Sequence, residues 1–302
     1  MTMGVRVACA ALLSLESLSA ATVVASAAAD RASPSDTLPD PADDAVPVVL
    51  MHGIADSSTS AAMQQLVDSI LAAFPAKRVL ALPVSNGLAS ILREMDRQLE
   101  ELVRIIRADN SLKHGFDAMG FSQGGLLLRA YIERFNSPPV RRFISICSPQ
   151  AGVGFCPLSP MFQWLCPMWR SGDPYRTGIA FSGYWKDVSS REVYLAENNF
   201  LANLNNELPT TNSTYKANML ALERYVLVMA LRDKTVVPPA SAVHGYWQWE
   251  DRLDRSSVQV PLVERPVLPM EETEGYQSDA IGLQTLHVTG RLHRLSFDGM
   301  QR

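Results

Sequence analysis

The sequence predicts an α/β fold with a mostly parallel central sheet that has helices on both faces. Of its 302 residues, 47% are hydrophobic, which is enough to bury a large core in one domain. Short apolar runs, typical of parallel strands covered on both faces, alternate with longer segments of helical periodicity. The predicted strands are residues 46–51, 78–84, 116–119 and 142–147. The predicted helices are residues 61–74, 88–106 and 126–134.

Each predicted element has its own local pattern. The strand 46–51 is an apolar run that ends before His52-Gly53, and the strand 78–84 is a second such run. The helix 88–106 is the clearest, because its apolar residues recur every three or four positions. Arginine and glutamate occupy the other face of that helix, which we interpret as a solvated surface rather than a binding site.

The most informative motif is Gly120-Phe121-Ser122-Gln123-Gly124, which has the form Gly-x-Ser-x-Gly. The apolar run 116–119 precedes it and the helical segment 126–134 follows it. Strand, sharp turn and helix form the nucleophile elbow of serine hydrolases, in which the turn exposes the serine hydroxyl at the end of the strand. Ser122 is therefore the candidate nucleophile, and a Gly- and Ser-rich loop without chemistry is the alternative.

An activated serine needs partners from other segments. In this order of elements the carboxylate comes after the nucleophile, and Asp233 follows the apolar run 225–231 at the predicted carboxyl edge of the sheet. We predict Asp233 as the acid partner, with a turn aspartate as the alternative. The N–H of Gln123 and the N–H of Ile54, in the loop after the first strand, are the predicted oxyanion donors. His52 is interpreted as structural because it precedes the serine in the chain.

Residues 149–220 interrupt the alternation of strands and helices. Prolines and tryptophans are frequent there, and we predict an inserted cap over the active-site end of the sheet. The alternation resumes with a predicted helix at 218–224 and a predicted strand at 225–231. Residues 250–280 are predicted to be mostly loop, and residues 286–297 to form a final strand pair.

The N-terminal region predicts entry into the secretory pathway. Arg6 precedes a stretch rich in Ala, Leu and Val with small-residue cleavage sites, so residues 1–29 are predicted to be a signal peptide and residues 30–45 a linker. No later apolar run reaches the roughly 18 residues of a membrane span. The net charge of −4 provides no basic field for nucleic acid. The sequence contains no metal-ligand cluster and no glycine-rich phosphate loop, so we predict no cofactor.

The cysteines and one sequon agree with the secretory route. Cys156 and Cys166 are the pair expected to form a disulfide in an oxidising compartment. Cys147, at the end of the predicted strand 142–147, is expected to be a buried free thiol. Asn212-Ser213-Thr214 has the pattern of an N-glycosylation site.

Three histidines follow Asp233, namely His244, His287 and His293. None lies in an obvious loop after the last strand, although the histidine of the triad follows the carboxylate in this order of elements. His287 and His293 fall within the predicted final strand pair. Each of the three is interpreted as an ordinary surface or strand histidine, and the identity of the general base stays open.

Together these residues resemble a palmitoyl-protein thioesterase of the lysosomal type. The resemblance covers residue 46 to the C-terminus and is most specific in the run 115–125, GFDAMGFSQGG. Further residues that follow the family are His52-Gly53, Asp56-Ser57, Leu128-Arg129-Ala130, Ser137-Pro138-Pro139, Tyr184-Trp185, Asp187, Phe200-Leu201, Cys156, Cys166 and Asn212.

The resemblance implies an α/β-hydrolase fold and hydrolysis of the thioester between a long-chain fatty acyl group and a protein cysteine. Ser122 would be acylated and then freed by water, with S-acylated proteins or peptides and fatty acyl thioesters as substrates. The resemblance also implies Asp233 as the triad carboxylate, a Cys156–Cys166 disulfide, a glycosylated Asn212 and a lysosomal location.

The histidine of the family's triad follows the last strand, and in that register Gln301 occupies its position shortly before the chain ends. Either the sequence is truncated before that histidine, or the protein lacks its base. In both cases we expect the C-terminal part of the fold to be incomplete and this chain to be nearly inactive, since an amide cannot take up the serine proton. Two other functions stay open. One is a carboxylesterase or lipase that acts on oxygen esters, and the other is a lipid-binding protein without catalysis.

Overall fold

The computed structural model of the protein describes residues 46–156, 174–253 and 259–299. The strands are β1 (Val48–Met51), β2 (Val79–Ala81), β3 (Phe116–Phe121), β4 (Val140–Ile146), β5 (Arg224–Ala230), β6 (Tyr246–Trp247), β7 (Val267–Leu268) and β8 (Leu292–Phe297). Six of them form one parallel sheet in the order β2–β1–β3–β4–β5–β8, and β6 pairs with β7 in a small antiparallel sheet. The predicted parallel central sheet of an α/β-hydrolase fold is confirmed.

Helices cover both faces of the main sheet. They are α1 (Ala61–Ala73), α2 (Ala89–Leu92), α3 (Met95–Ala108), α4 (Gln123–Arg134), α5 (Arg191–Glu197), α6 (Leu201–Leu204), α7 (Ser213–Leu220), α8 (Glu274–Gln277) and α9 (Leu283–Val288). Val48 and Leu50 of β1 belong to an apolar core with α1, whereas Val49 and Met51 belong to a core with α3 and α4. Because alternate residues of β1 enter cores on opposite faces of the sheet, this strand is a continuous apolar run.

The prediction of a single helix at 88–106 is wrong in one respect, because the chain forms two helices there. Arg93 separates α2 from α3, and its backbone is extended with φ −91° and ψ 137°. The buried Gln98 side-chain amide donates to the carbonyl oxygens of Ser90 at 3.0 Å and Arg93 at 2.8 Å. These bonds satisfy carbonyl groups at the end of α2 that have no partner within the helix.

Two predictions in the C-terminal half are wrong. The helix predicted at 218–224 lies earlier, as α7, because Arg224 already pairs with β4 as the first residue of β5. The strand pair predicted at 286–297 is the helix α9 followed by the single strand β8. Gly282 and Gly290 flank α9 with φ of 86° and 71°, in the left-handed region that glycine adopts without strain. The spacing of apolar residues does not predict left-handed glycine turns of this kind.

The segment predicted as a cap, 149–220, is described outside residues 157–173. It contains the 3₁₀ turns Pro174–Arg176 and Ala180–Tyr184 and the helices α5, α6 and α7. Gly183 lies against α3, where an added Cβ would be 2.8 Å from Cγ of Met95. The predicted signal peptide and linker, residues 1–45, lie outside the described residues, as do residues 300–302.

Candidate active site

Ser122 stands at the sharp turn between β3 and α4. It is the N-cap of α4, and its φ of 48° lies in the left-handed region that residues other than glycine rarely adopt. The Ser122 N–H donates to the Ile146 carbonyl oxygen at 2.8 Å, and its own carbonyl accepts from the Gly125 N–H at 3.1 Å. Strand, strained turn and helix together have the geometry of a nucleophile elbow.

Glycines allow the close approach that the elbow requires. A Cβ on Gly124 would lie 2.6 Å from the Met51 carbonyl oxygen, so α4 rests directly on the end of β1. A Cβ on Gly53, in the loop after β1, would lie 3.3 Å from Cβ of Ser122. The nucleophile candidate and the first loop are therefore in contact.

Two N–H groups beside Ser122 are the predicted oxyanion donors. Gln123 is the first residue of α4, so its N–H has no acceptor within the helix. Ile54 follows Gly53 in the loop that touches the serine. No hydrogen bond between described residues uses either N–H, which leaves both available to a substrate oxygen. Their catalytic role stays a prediction.

Asp233 follows β5 at the same edge of the sheet. Its Oδ1 accepts hydrogen bonds from the N–H groups of Thr235 at 2.8 Å and Val236 at 3.0 Å. Burial raises the pKa of the Asp233 carboxyl above its ordinary value, and these two bonds offset part of the rise. No salt bridge between described residues includes Asp233. The catalytic role of Asp233 stays a prediction.

Cys147 lies between the serine and the aspartate. It follows β4 as Ser122 follows β3, and Phe121 pairs with Ile146 in the register of these two strands. Burial, and next the nearby charge of Asp233, raise the pKa of the Cys147 thiol to about 12. The thiol is free, as predicted, and it stays protonated at neutral pH. The sequence pattern does not indicate that it is a neighbour of Ser122, because strand order is not a local property.

The chain matches the sequence profile of a family described as "Palmitoyl protein thioesterase" over residues 47–301. The chain belongs to the palmitoyl protein thioesterase family. Membership of this family, together with the α/β-hydrolase fold, supports a thioester hydrolase.

Several palmitoyl protein thioesterases align with most of this chain. "Palmitoyl-protein thioesterase 3" of Dictyostelium discoideum is 35% identical over 251 residues, which is 82% of this chain and 81% of that protein. "Palmitoyl-protein thioesterase 1" of Caenorhabditis elegans is 32% identical over 84% of this chain and 85% of that protein. "Lysosomal thioesterase PPT2" of Rattus norvegicus is 30% identical over 84% of this chain and 81% of that protein.

A serine nucleophile would need a base beside it, and His293 is too distant from Ser122 to serve. His293 lies on β8, where it pairs with Val226 of the neighbouring strand β5. In the sheet, β8 is three strands away from β3. In the register of the intervening strands it aligns with Met119, three residues before Ser122. Strand spacing and rise place it about 14 Å across the sheet and about 10 Å along the strands from Ser122.

The other four of the five histidines have different surroundings. His244 Nε2 lies 3.1 Å from the Tyr225 hydroxyl, and His287 Nδ1 lies 2.8 Å from the Tyr276 hydroxyl. His114 is exposed before β3, at the opposite edge of the sheet. His52, next to the elbow, is buried with Nδ1 2.8 Å from the Gly53 carbonyl oxygen, which agrees with a structural role. The general base is therefore unassigned in the described ranges.

The predicted covalent modifications concern Cys156 and Asn212. Cys156 is disulfide-bonded, and its predicted partner, Cys166, lies outside the described residues, so the pairing stays a prediction. Asn212 is exposed at the N-cap of α7, where its Oδ1 accepts from the Thr214 N–H at 2.9 Å. Glycosylation of Asn212 stays a prediction.

Two buried residues that the sequence analysis does not single out, Ser90 and Gln98, contact Gln123. The sequence does contain a feature that could have identified Gln98 as a residue with a special role. It is a polar residue three positions after Met95, on the apolar face of α3. Ser90 carries no such signal. No helix in residues 46–156, 174–253 or 259–299 is long and apolar enough to cross a membrane.

Proposed function

We propose that this protein hydrolyses the thioester between a long-chain fatty acyl group, such as palmitate, and a protein cysteine through an acyl-enzyme at Ser122. The observation that carries the proposal is the elbow. It presents Ser122 at a strained turn, beside the N–H groups of Gln123 and Ile54, neither of which has a partner between described residues. Membership of the palmitoyl protein thioesterase family supports the acyl thioester as the substrate class.

In the proposed reaction the Ser122 Oγ attacks the thioester carbonyl carbon as its proton passes to a base. The carbonyl oxygen becomes an oxyanion that accepts hydrogen bonds from the Gln123 and Ile54 N–H groups. The C–S bond then breaks, the cysteine leaves as a thiolate that takes up a proton, and the acyl group stays on Ser122. Water attacks this ester, releasing the fatty acid and restoring the hydroxyl. Because a cysteine thiol has a pKa of about 8.5, the thiolate leaves without strong help from an acid.

The proton of the serine needs a base that Asp233 can orient. In the register of the family this base is at position 301, where the sequence has Gln301. The chain shortly before it lies beside the Asp233 loop, because Arg232 donates to the Asp298 carboxylate at 2.6 Å. A glutamine does not take up a proton. We therefore propose that this sequence turns over acyl thioesters slowly, about 10³- to 10⁴-fold above water, through binding and the oxyanion donors alone.

We also propose that the protein follows the secretory route to the lysosome. Relatives that are 30% identical carry the name "Lysosomal thioesterase PPT2". The disulfide at Cys156 fits an oxidising compartment, and the exposed Asn212 fits a glycan. The signal peptide at residues 1–29 belongs to the same proposal.

The test uses the purified chain and three readouts. These are labelling of Ser122 by a fluorophosphonate, hydrolysis of a palmitoyl thioester, and hydrolysis of p-nitrophenyl palmitate. We expect labelling that is slow, because Gln301 cannot take up the serine proton, but that is lost in Ser122→Ala and kept in Ser189→Ala, which removes an exposed hydroxyl elsewhere. We also expect a higher kcat/KM for the thioester than for the oxygen ester.

The outcomes separate the three functions. A higher kcat/KM for the oxygen ester would favour a carboxylesterase or lipase. Binding of palmitate without labelling of Ser122 would favour a lipid-binding protein without catalysis.

A further inference from the structure

Four buried polar residues, Tyr184, Gln123, Gln98 and Ser90, connect the elbow with the cap segment. The Tyr184 hydroxyl donates to Gln123 Oε1 at 2.9 Å, and Gln123 Nε2 donates to Gln98 Oε1 and to the Ser90 carbonyl oxygen, each at 2.9 Å. Gln98 Nε2 in turn donates to the carbonyl oxygens of Ser90 and Arg93. Tyr184, Gln123, Gln98 and Ser90 are each 2% exposed or less. Water therefore does not compete for these bonds.

The network holds the Gln123 side chain in one orientation. Both hydrogens of its Nε2 are used, one on Gln98 and one on Ser90, while its oxygen accepts from Tyr184. Reversing the amide would set its oxygen against the Ser90 carbonyl oxygen, with no hydrogen between them. A side chain restrained at both ends of its amide also restrains the backbone of Gln123, which carries one predicted oxyanion donor.

The same network reaches the loop that carries the second donor. Ser90 Oγ accepts from the Ala55 N–H at 2.7 Å. On the other side of Ile54, His52 Nδ1 lies 2.8 Å from the Gly53 carbonyl oxygen. That carbonyl shares a peptide group with the Ile54 N–H, and in a planar trans peptide the two point to opposite sides. The direction of the Ile54 N–H is therefore set by restraints on the two peptide groups of Ile54, the one it shares with Gly53 and the one it shares with Ala55.

Packing alone does not require polar side chains at these positions. Gln98 lies on the apolar face of α3 with Met95 and Leu102, where an apolar residue of similar volume would also fill the space. Burying an amide contributes little net stability even when all its groups are paired, whereas a paired network restricts geometry. The network is suited to holding atoms in place.

We propose that Ser90, Gln98 and Tyr184 are positioning residues that hold the N–H groups of Gln123 and Ile54 where the oxyanion forms. This inference rests on the proposed function, since these N–H groups act only if Ser122 is attacked through a charged intermediate. Tyr184 belongs to the cap segment, in the turn Ala180–Tyr184, and reaches Gln123 through one hydrogen bond. The cap segment is therefore coupled to the oxyanion donors.

The first test compares two tyrosines with matched hydrogen bonds. Tyr184→Phe removes a hydroxyl that donates to Gln123 Oε1 at 2.9 Å, and Tyr215→Phe removes one that donates to Asn203 Oδ1 at 2.9 Å. Both tyrosines are buried, so we expect similar decreases in thermal stability. Only Tyr184→Phe is expected to lower the rate constant for fluorophosphonate labelling of Ser122 and the kcat for a palmitoyl thioester, about 3- to 10-fold with KM unchanged.

The second test separates shape from hydrogen bonding at Gln98. Gln98→Met fills the same space without donors and is expected to slow labelling about 10- to 100-fold. A protonated glutamic acid keeps the acceptor and one donor. In Gln98→Glu, the labelling rate relative to the parent at the same pH is therefore expected to recover as the pH falls.

Three outcomes bear on the proposal. The positioning role would be overturned if the labelling rate and kcat stay unchanged in Tyr184→Phe. It would also be overturned if both fall equally in Tyr215→Phe, because the network would then serve stability alone. Labelling of the parent without thioester turnover would count against the proposed substrate only, and the labelling rates would still decide the role of the network. If the parent labels too slowly to measure, the same comparisons are made in Gln301→His, which supplies a base. Absence of labelling of Ser122 in that variant as well would overturn both proposals.

Discussion

Gly124 on α4 packs so closely against the carbonyl oxygen of His52 that no side chain fits between them. The contact sets the first turn of the nucleophile helix directly on the loop that carries Ile54. Because the two backbones touch, the serine and both predicted oxyanion donors share one rigid support.

Gly124→Ala is expected to destabilise the protein by about 1–3 kcal/mol, because the added Cβ meets backbone atoms that cannot rotate away. Denaturant unfolding measures the change, and labelling of Ser122 should slow with it. Gly275→Ala is the matched control, since an added Cβ at Gly275 in α8 meets nothing within 4 Å. That substitution is expected to be neutral or stabilising by about 0.5–1 kcal/mol. A Gly124→Ala protein as stable as the parent would contradict the proposed packing.

Asp233→Asn is expected to stabilise the protein at neutral pH. Burial raises the pKa of the carboxyl above its ordinary value of 3.8, so the folded protein binds this proton more tightly than the unfolded chain. The carboxyl therefore contributes its whole stabilising effect below pH 3.8, the ordinary pKa, and this contribution is lost as the pH rises through the folded pKa. An asparagine keeps the acceptor for Thr235 and Val236 without the charge.

Unfolding titrations at several pH values measure the effect of Asp233→Asn. Its gain in free energy of unfolding over the parent should grow as the pH rises from 3.8 toward the folded pKa, reach its full size above the folded pKa, and disappear in acid. Asp109 is a control of opposite sign, because hydrogen bonds from Ser111 lower its pKa. Asp109→Asn should therefore reduce stability at neutral pH. Equal or lower stability of Asp233→Asn at neutral pH would speak against a desolvated carboxylate.

Glu133→Gln is expected to remove a pH dependence of stability. Arg129 and Glu133 lie one turn apart on α4, both fully buried, with 3.7 Å between Nε and Oε1. Burial raises the pKa of Glu133 to about 8, although Arg129 and Arg134 oppose the rise. The contribution of Glu133 to the free energy of unfolding should therefore fall by up to about 1.4 kcal/mol per pH unit as the pH rises from the ordinary glutamate pKa toward the folded one.

Denaturant titrations of Glu133→Gln and of the parent between those two pKa values measure this slope. Glu100→Gln, which removes an exposed carboxylate paired with Arg97, is expected to keep the slope of the parent. A difference in free energy of unfolding between Glu133→Gln and the parent that stays constant across that range would show that Glu133 stays ionised.

Gln301→His is expected to raise the kcat for a palmitoyl thioester on the order of 10³-fold, because it restores a base at the position that the family register assigns to it. Adding Asp233→Asn should remove most of that gain, since the carboxylate orients the imidazole. Gln284→His places a histidine at an exposed position of α9 and should leave kcat unchanged. An unchanged kcat in Gln301→His would contradict the family register for the base.

Local patterns predicted the strands β1 to β5 and the elbow, but the final strand pair and some helix boundaries were predicted wrongly. The runs around β1, β3 and β4 are apolar because both faces of the sheet are covered, and each run can be identified without knowing its neighbours. The break at Arg93 and the helix α9 were missed, because a side-chain bond from Gln98 and the left-handed glycines Gly282 and Gly290 set them. These features depend on contacts and dihedral angles that periodicity does not encode.

The sequence by itself determined the parallel sheet and the elbow at Ser122, since both follow from residue order over a few positions. Only the tertiary structure decided that Cys147 lies between Ser122 and Asp233, and that Gln98 and Tyr184 meet at Gln123. These residues are far apart in the chain. Their proximity depends on strand order, register and the path of the cap segment, which are properties of the whole packed chain.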